Sequence, residues 1–162
     1  MRKLFNLTLA AAVLYALTSL LHGCSEEADC SMTNNRGMIV CNLYHLDPAT
    51  GVAQKDTLDS LTVTAAGTDS VIINRMNEVK NFSLPLRYTE DSTQFVFHYT
   101  GRLTDTVIVR HTNKPYFVSM DCGYQMQQNI TSVRYTRRNL DSIYIANPEA
   151  SIDGTENLKL FY

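Results

Sequence analysis

The chain has 162 residues, 44% of them hydrophobic, and a formal net charge of −2. That length suits one domain, and the slight acidic excess gives no support to nucleic-acid binding, which wants a basic stripe. Four cysteines without any Cys-x-x-Cys spacing leave zinc a weak rival to disulfide chemistry.

Arg2 and Lys3 precede an apolar run from Leu4 to Leu21, followed by Leu21-His22-Gly23-Cys24 and the acidic Ser25-Glu26-Glu27-Ala28-Asp29. A positive start orients such a segment, the apolar run enters the bilayer, and small Gly23 exposes the bond before a nucleophilic thiol. The order resembles a bacterial lipoprotein signal peptide, in which residues 1–23 are removed and Cys24 is acylated. His22 departs from the small residue usual at its place. An uncleaved transmembrane helix is the rival, since Leu4–Leu21 is close to the roughly 20 residues a span needs, although Asn6, Thr8, Thr18 and Ser19 weaken it. At about 0.8 kcal/mol per buried methylene, two or three acyl chains make attachment effectively permanent. Cleavage leaves 139 residues and moves the formal charge from −2 to −4, because Arg2 and Lys3 leave with no acid. Residues 24–35 then form a lipidated acidic tether, and 36–162 a single domain.

Export to an oxidising compartment predicts one disulfide and one leftover thiol among Cys30, Cys41 and Cys122. Cys41 sits in the apolar run Met38–Tyr44, where a cysteine behaves as a small buried hydrophobe. Cys30 and Cys122 both lie beside turn-like polar residues. Cys30–Cys122 is the favoured pair, worth roughly 4–5 kcal/mol on the chain-entropy model.

Downstream of Asn35 apolar residues alternate with period two and are interrupted at intervals by turn residues, which predicts an all-β domain. The predicted strands are 37–46, 60–65, 70–74, 81–86, 93–100, 106–112, 116–122, 124–135, 140–146 and 158–162. Asp47-Pro48, Gly67-Thr68-Asp69, Gly101 and Asn113-Lys114-Pro115 are the breakers between them. With Gly101–Asp105 as a five-residue loop, Phe95, Phe97 and Tyr99 pair with His111, Val109 and Val107 on one face. With Thr112–Pro115 as the next loop, Tyr116, Val118 and Met120 join that face. One apolar face must be buried against another, so the expected fold is a two-layer immunoglobulin-like β-sandwich of about seven to ten strands. His98 and His111 then point to opposite faces, which argues against a histidine metal site and leaves His111 a hydrogen bond at the sheet edge. Arg134-Tyr135-Thr136-Arg137-Arg138 reads as a solvated strand end or turn more than an anion site. The closing strand, with Leu158, Leu160 and Tyr162 alternating, is expected to be essential for folding.

Cys30, Asp59-Ser60-Leu61-Thr62-Val63, the Phe117–Tyr124 segment with its Cys-Gly-Tyr, Leu140-Asp141-Ser142-Ile143 and Asn157–Tyr162 resemble a family of small uncharacterised Bacteroidota lipoproteins of the domain-of-unknown-function class. The resemblance covers nearly all of the chain after the signal and implies no activity. It implies that Ser25–Asp29 is similar to the acidic tag directing such lipoproteins to the outer face of the outer membrane, an ordinary acidic tether being nearly as good a reading. The Asp-Ser/Thr-aliphatic triplets centred on Thr57, Ser60, Ser70, Thr106 and Ser142 likewise resemble that group's O-glycosylation signature. The same triplets are also how a turn hands over to a strand, so one or two modified sites at most are expected.

No nucleophile elbow, carboxylate pair or metal spacing stands out, so no catalytic residue, metal or cofactor is assigned and no enzyme activity is expected. The expected function is that of an outer-membrane lipoprotein with a non-enzymatic β-sandwich serving as an envelope binding or structural module. Its partners would be the membrane, through acyl chains on Cys24, and a protein or glycan of unknown identity. The alternative is a periplasm-facing inhibitor or accessory subunit of an envelope enzyme or outer-membrane complex.

Overall fold

The computed structural model describes residues 37–68 and 70–162. The signal segment 1–23, the tether 24–35, and with them Cys24 and Cys30, lie outside the described residues. Eleven strands follow one another with no helix among the described residues: β1 Met38–Leu46, β2 Ala53–Lys55, β3 Leu58–Ala65, β4 Val71–Val79, β5 Asn81–Pro85, β6 Ser92–Tyr99, β7 Asp105–Ser119, β8 Gly123–Tyr135, β9 Ser142–Ile145, β10 Glu149–Ala150 and β11 Glu156–Phe161.

Two sheets form the sandwich. In the first, β1 takes β11 in parallel along one edge, with Cys41 opposite Leu158 and Leu43 opposite Leu160. Its other edge pairs with β5 along Met38–Asn42 and then with β2 along Tyr44–Leu46. β9 completes this sheet by pairing with β11. The second sheet runs β10-β8-β7-β6-β3-β4. Period-two alternation sends Ile39, Cys41 and Leu43 of β1 and Phe95, Phe97 and Tyr99 of β6 into one core. Phe82 of β5 meets Phe97 edge-on across the layers at 5.6 Å. β11 lies between β1 and β9 with Leu158 and Leu160 buried, as expected of a strand the fold cannot lose.

The pairing of β6 with β7 differs from the expected register by four residues: Phe95 faces Val107 and Phe97 faces Asp105. An even shift keeps every side chain on its face, so the apolar pattern alone cannot tell the two registers apart. Asp105 decides it, because its buried carboxylate fixes the start of β7. The loop expected at Thr112–Pro115 does not exist. β7 runs straight through Pro115, beyond the point where its pairing with β6 ends with Ser92 opposite Arg110, so the proline stands on an edge unpaired by β6 where its missing N–H costs no ladder bond. Tyr116, Val118 and Met120 accordingly stay exposed instead of joining the core, and Val107, Val109 and His111 pair with Tyr135, Val133 and Ile130 of β8. Tyr116 is therefore no neighbour of His111, which is buried and not at an edge.

β4 also continues beyond Asn74, through residues too polar to signal a strand. It is an edge strand whose ladder is broken by irregular pairing with β3 and by positive φ at Arg75 and Glu78. Such irregularity protects an edge from pairing with other chains. The two shortest strands, β2 and β10, have no sequence signal of their own and exist because β1 and β8 offer them an edge.

Candidate functional site

The sandwich has two dissimilar poles. Gly37 packs against the Ala150 carbonyl, where a Cβ would sit 3.0 Å from the oxygen, and Met38 bridges Ser151. Ala150 in turn pairs with Gln128 of β8. The described chain thus enters at the pole from which the outer part of the β7–β8 hairpin projects. β11 runs parallel to β1, so Tyr162 ends at the opposite pole, beside the start of β3 and the end of β6.

At that opposite pole lies an open cleft of about 350 Å³ lined by Asp56–Ser60, Tyr99, Thr100, Arg102 and Tyr162. The Tyr99 and Tyr162 rings meet edge-on at 5.8 Å and their hydroxyls lie 3.2 Å apart. Burial pushes both phenols well above their ordinary range, so both remain protonated and can donate a hydrogen bond. Asp56 lies 3.7 Å from His45 Nδ1. Asp59 and Arg102 form no ion pair among the described residues. The cleft therefore presents a free carboxylate, a free guanidinium and phenolic hydroxyls, a set suited to hydrogen-bonding a polar ligand.

Behind the cleft, Asp105 is completely buried. It accepts hydrogen bonds from Thr136 Oγ1 at 2.7 Å and from the backbone N–H groups of Arg138, Asn139 and Leu140 at 2.9, 3.0 and 3.1 Å. Burial alone would raise its pKa, but these four donors outweigh it and hold the carboxyl below its usual range. This is a structural clamp. It turns the Arg134–Arg138 segment into the corner leading to β9, in line with the expected turn, while Arg137 lies over the Tyr135 ring at 5.7 Å.

A second buried polar group stands at the base of the projecting hairpin. Thr93 Oγ1 lies 2.9 Å from His111 Nε2, and Asn113 Oδ1 lies 3.1 Å from Nδ1. Because Asn113 Oδ1 can only accept, Nδ1 carries the proton and Nε2 accepts from Thr93. Burial lowers the His111 pKa and keeps the ring neutral. Gln128 Nε2 donates to Asn113 Oδ1 at 2.7 Å and to the Arg87 carbonyl at 3.0 Å. These groups pin the Pro85–Ser92 loop to β7 and β8.

Cys41 is free and buried, and desolvation drives its thiol far above the ordinary range, away from nucleophilic use. Cys122 stands at the tip of the projecting hairpin, between β7 and β8. Among the serine and threonine positions of the Asp-Ser/Thr-aliphatic triplets, Thr57 and Ser70 are exposed and lie outside the strands, whereas Ser60, Thr106 and Ser142 are half-buried within β3, β7 and β9. Thr57 and Ser60 line the cleft. No group of residues able to hold a metal ion occurs among the described residues. The sequence reading found neither Asp105 nor the Tyr99, Tyr162 and Arg102 grouping. Asp105-Thr106-Val107 was legible only as a strand start or a glycosylation triplet, and the other three are brought together solely by the fold.

The profile of a family of unknown function, DUF6452, matches residues 60–162, and the chain belongs to that family. The match begins inside β3 and leaves out β1, which holds both β5 and β11, so the folded unit is longer than the matched span. No curated protein and no solved structure matches the chain.

Proposed function

We propose that this chain is an outer-membrane lipoprotein, acylated on Cys24, whose β-sandwich is a non-enzymatic binding module at the envelope. The carrying observation is the use to which the polar groups are put. Asp105, His111 and Gln128 are buried and committed to holding turns, and Cys41 is buried as a neutral thiol. Asp59 and Arg102, neither of which forms an ion pair among the described residues, stand instead in an open cleft at the pole away from the chain entry. A site of that make-up suits recognition of a polar ligand more than chemistry, because no general base is poised against a nucleophile in it. A Cys30–Cys122 disulfide belongs to the same reading and is supported by the free, buried state of Cys41.

Radioactive palmitate should label the full chain and not its Cys24→Ser variant, and protease applied to intact cells should cleave an outward-facing domain. A photo-crosslinking residue placed at Asp59 should give a discrete adduct in cells that one placed at Tyr144 does not. Unlabelled protein found in the soluble fraction would overturn the anchoring. Protection from protease in intact cells would transfer the module to the periplasm, as an inhibitor or accessory subunit of an envelope complex. Non-reducing peptide mapping tests the disulfide, and a crosslink containing Cys41 would refute it.

A further inference from the structure

We infer that the projecting part of the β7–β8 hairpin, from Lys114 to Gln127, lies along a lipid surface, that of the bilayer holding the acyl chains proposed on Cys24; the inference rests on that lipidated reading. β6 pairs with β7 only as far as Arg110, and β10 meets β8 only at Gln128 and Asn129. Past these points, among the described strands, β7 and β8 form a ladder only with each other, so the arm extends about 20 Å from the sandwich at roughly 3.4 Å per residue.

What this arm exposes is unlike the rest of the surface. Phe117, Met120 and Tyr124 are 51%, 91% and 74% exposed, with Tyr116 and Val118 beside them. Phe117 and Tyr124 pair edge-on at 5.4 Å. Between Lys114 and Arg134 the only formal charge is that of Asp121. Scattered apolar residues on a surface are ordinary, but a contiguous apolar and nearly uncharged projection marks a contact site.

The occupant follows from where the chain goes. Gly37 sits at the base of the arm, and Cys24 lies thirteen residues upstream, within about 45 Å even when fully extended. That reach passes the arm's tip, so acyl chains on Cys24 bring the bilayer to the arm's end of the sandwich. The composition fits the headgroup region: tyrosines with a polar end, a methionine, and glutamines, with the Tyr116 hydroxyl donating to Gln125 Oε1 at 2.6 Å. Depth is limited by the same residues. Unpaired strand edges and the Asp121 carboxylate cannot enter hydrocarbon, so the arm lies flat on the surface and does not insert. The cleft of Asp59 and Arg102 then faces away from the membrane.

The chain has no tryptophan, so one introduced residue reports alone. The full acylated chain, carrying Met120→Trp, Tyr124→Trp or, at the opposite pole, Leu103→Trp, is reconstituted into vesicles of phosphatidylethanolamine and phosphatidylglycerol with brominated acyl chains. At least one arm reporter should shift to the blue and lose at least half its emission to bromine, while the residue at 103 does neither. Unquenched arm reporters on protein that still floats with the vesicles would overturn the inference and leave the anchoring intact. The same absence of quenching together with a concentration-dependent dimer in detergent would assign the arm to a second copy of the chain, and equally overturn it. Protein that carries no palmitate and does not float would remove the anchoring itself.

Discussion

The two poles of the sandwich differ in how their surfaces are secured. At the cleft pole, chain from six strands converges, and a buried carboxylate, two tyrosines and the C-terminal strand lock one another. At the arm pole, two strands run outward with no further described strand paired to either edge and show apolar side chains to whatever they meet. The contrast teaches that stability and contact are assigned to different ends. Damage at the first pole should unfold the molecule, and damage at the second should leave it folded but alter what it touches.

The harshest test of this contrast is deletion of Asn157–Tyr162. Leu158 and Leu160 are fully buried between β1 and β9. Burial of the two contributes about 3–6 kcal/mol, against a net stability of about 5–15 kcal/mol for a typical domain. The deletion also leaves β1 and β9 with bare edges. An unfolded or aggregated product is expected in a thermal melt, and a cooperative melt within a few degrees of the parent would show that the terminal strand is dispensable.

Next in size is Asp105→Ala. It removes the shared acceptor of three backbone N–H groups and a threonine hydroxyl, the Leu140 N–H buried and the others partly so, each costing about 1–3 kcal/mol when unsatisfied and less where water reaches it, so a loss of about 2–4 kcal/mol is expected. Urea titration measures it; a loss under 1 kcal/mol would mean that the corner holds without its clamp.

Acid separates the poles by pH. The Asp105 carboxyl is depressed in the folded state, so its contribution is complete above the unfolded value near 4 and is lost as pH falls through the lower folded value. His111 is also depressed, but as a base: the folded state holds it neutral, so its contribution begins to fall below the unfolded value near 6.5. Stability should decline first through the arm-base histidine and then, below about pH 4, through the cleft-pole aspartate. His111→Gln should erase the first decline and leave the second. A single decline in both proteins would show that the histidine is not held neutral by the fold.

How legible these two ends were in the sequence follows the same division. Strands such as Met38–Leu46 and Ser92–Tyr99 alternate cleanly because both sit in a core that demands it, and the two-layer fold followed from them. The clamp was not legible. An aspartate opening a strand looks alike whether its carboxylate faces water or accepts four hydrogen bonds from a corner about thirty residues later, and only long-range contact distinguishes the two. The arm was misread for the opposite reason. Its apolar residues obey the period of a buried strand and its proline resembles a break, so the pattern predicts a further strand of the sheet. Periodicity reports that a strand has apolar faces, not what covers them.

The smallest effect on stability is expected from Phe117→Ser combined with Tyr124→Ser, which leaves Cys122 in place. The ring pair between them contributes about 0.5–1.5 kcal/mol locally, in strands that pair only with each other and open before the sandwich does. The global melt should therefore stay within about 1 kcal/mol of the parent, while hydrogen exchange at Lys114–Gln127 quickens. The core never touches these side chains, so nothing in it needs to repack. If the double variant instead lowers the stability of the whole domain by several kcal/mol, the arm is an integral part of the fold, and the separation between a pole that holds and a pole that touches does not exist.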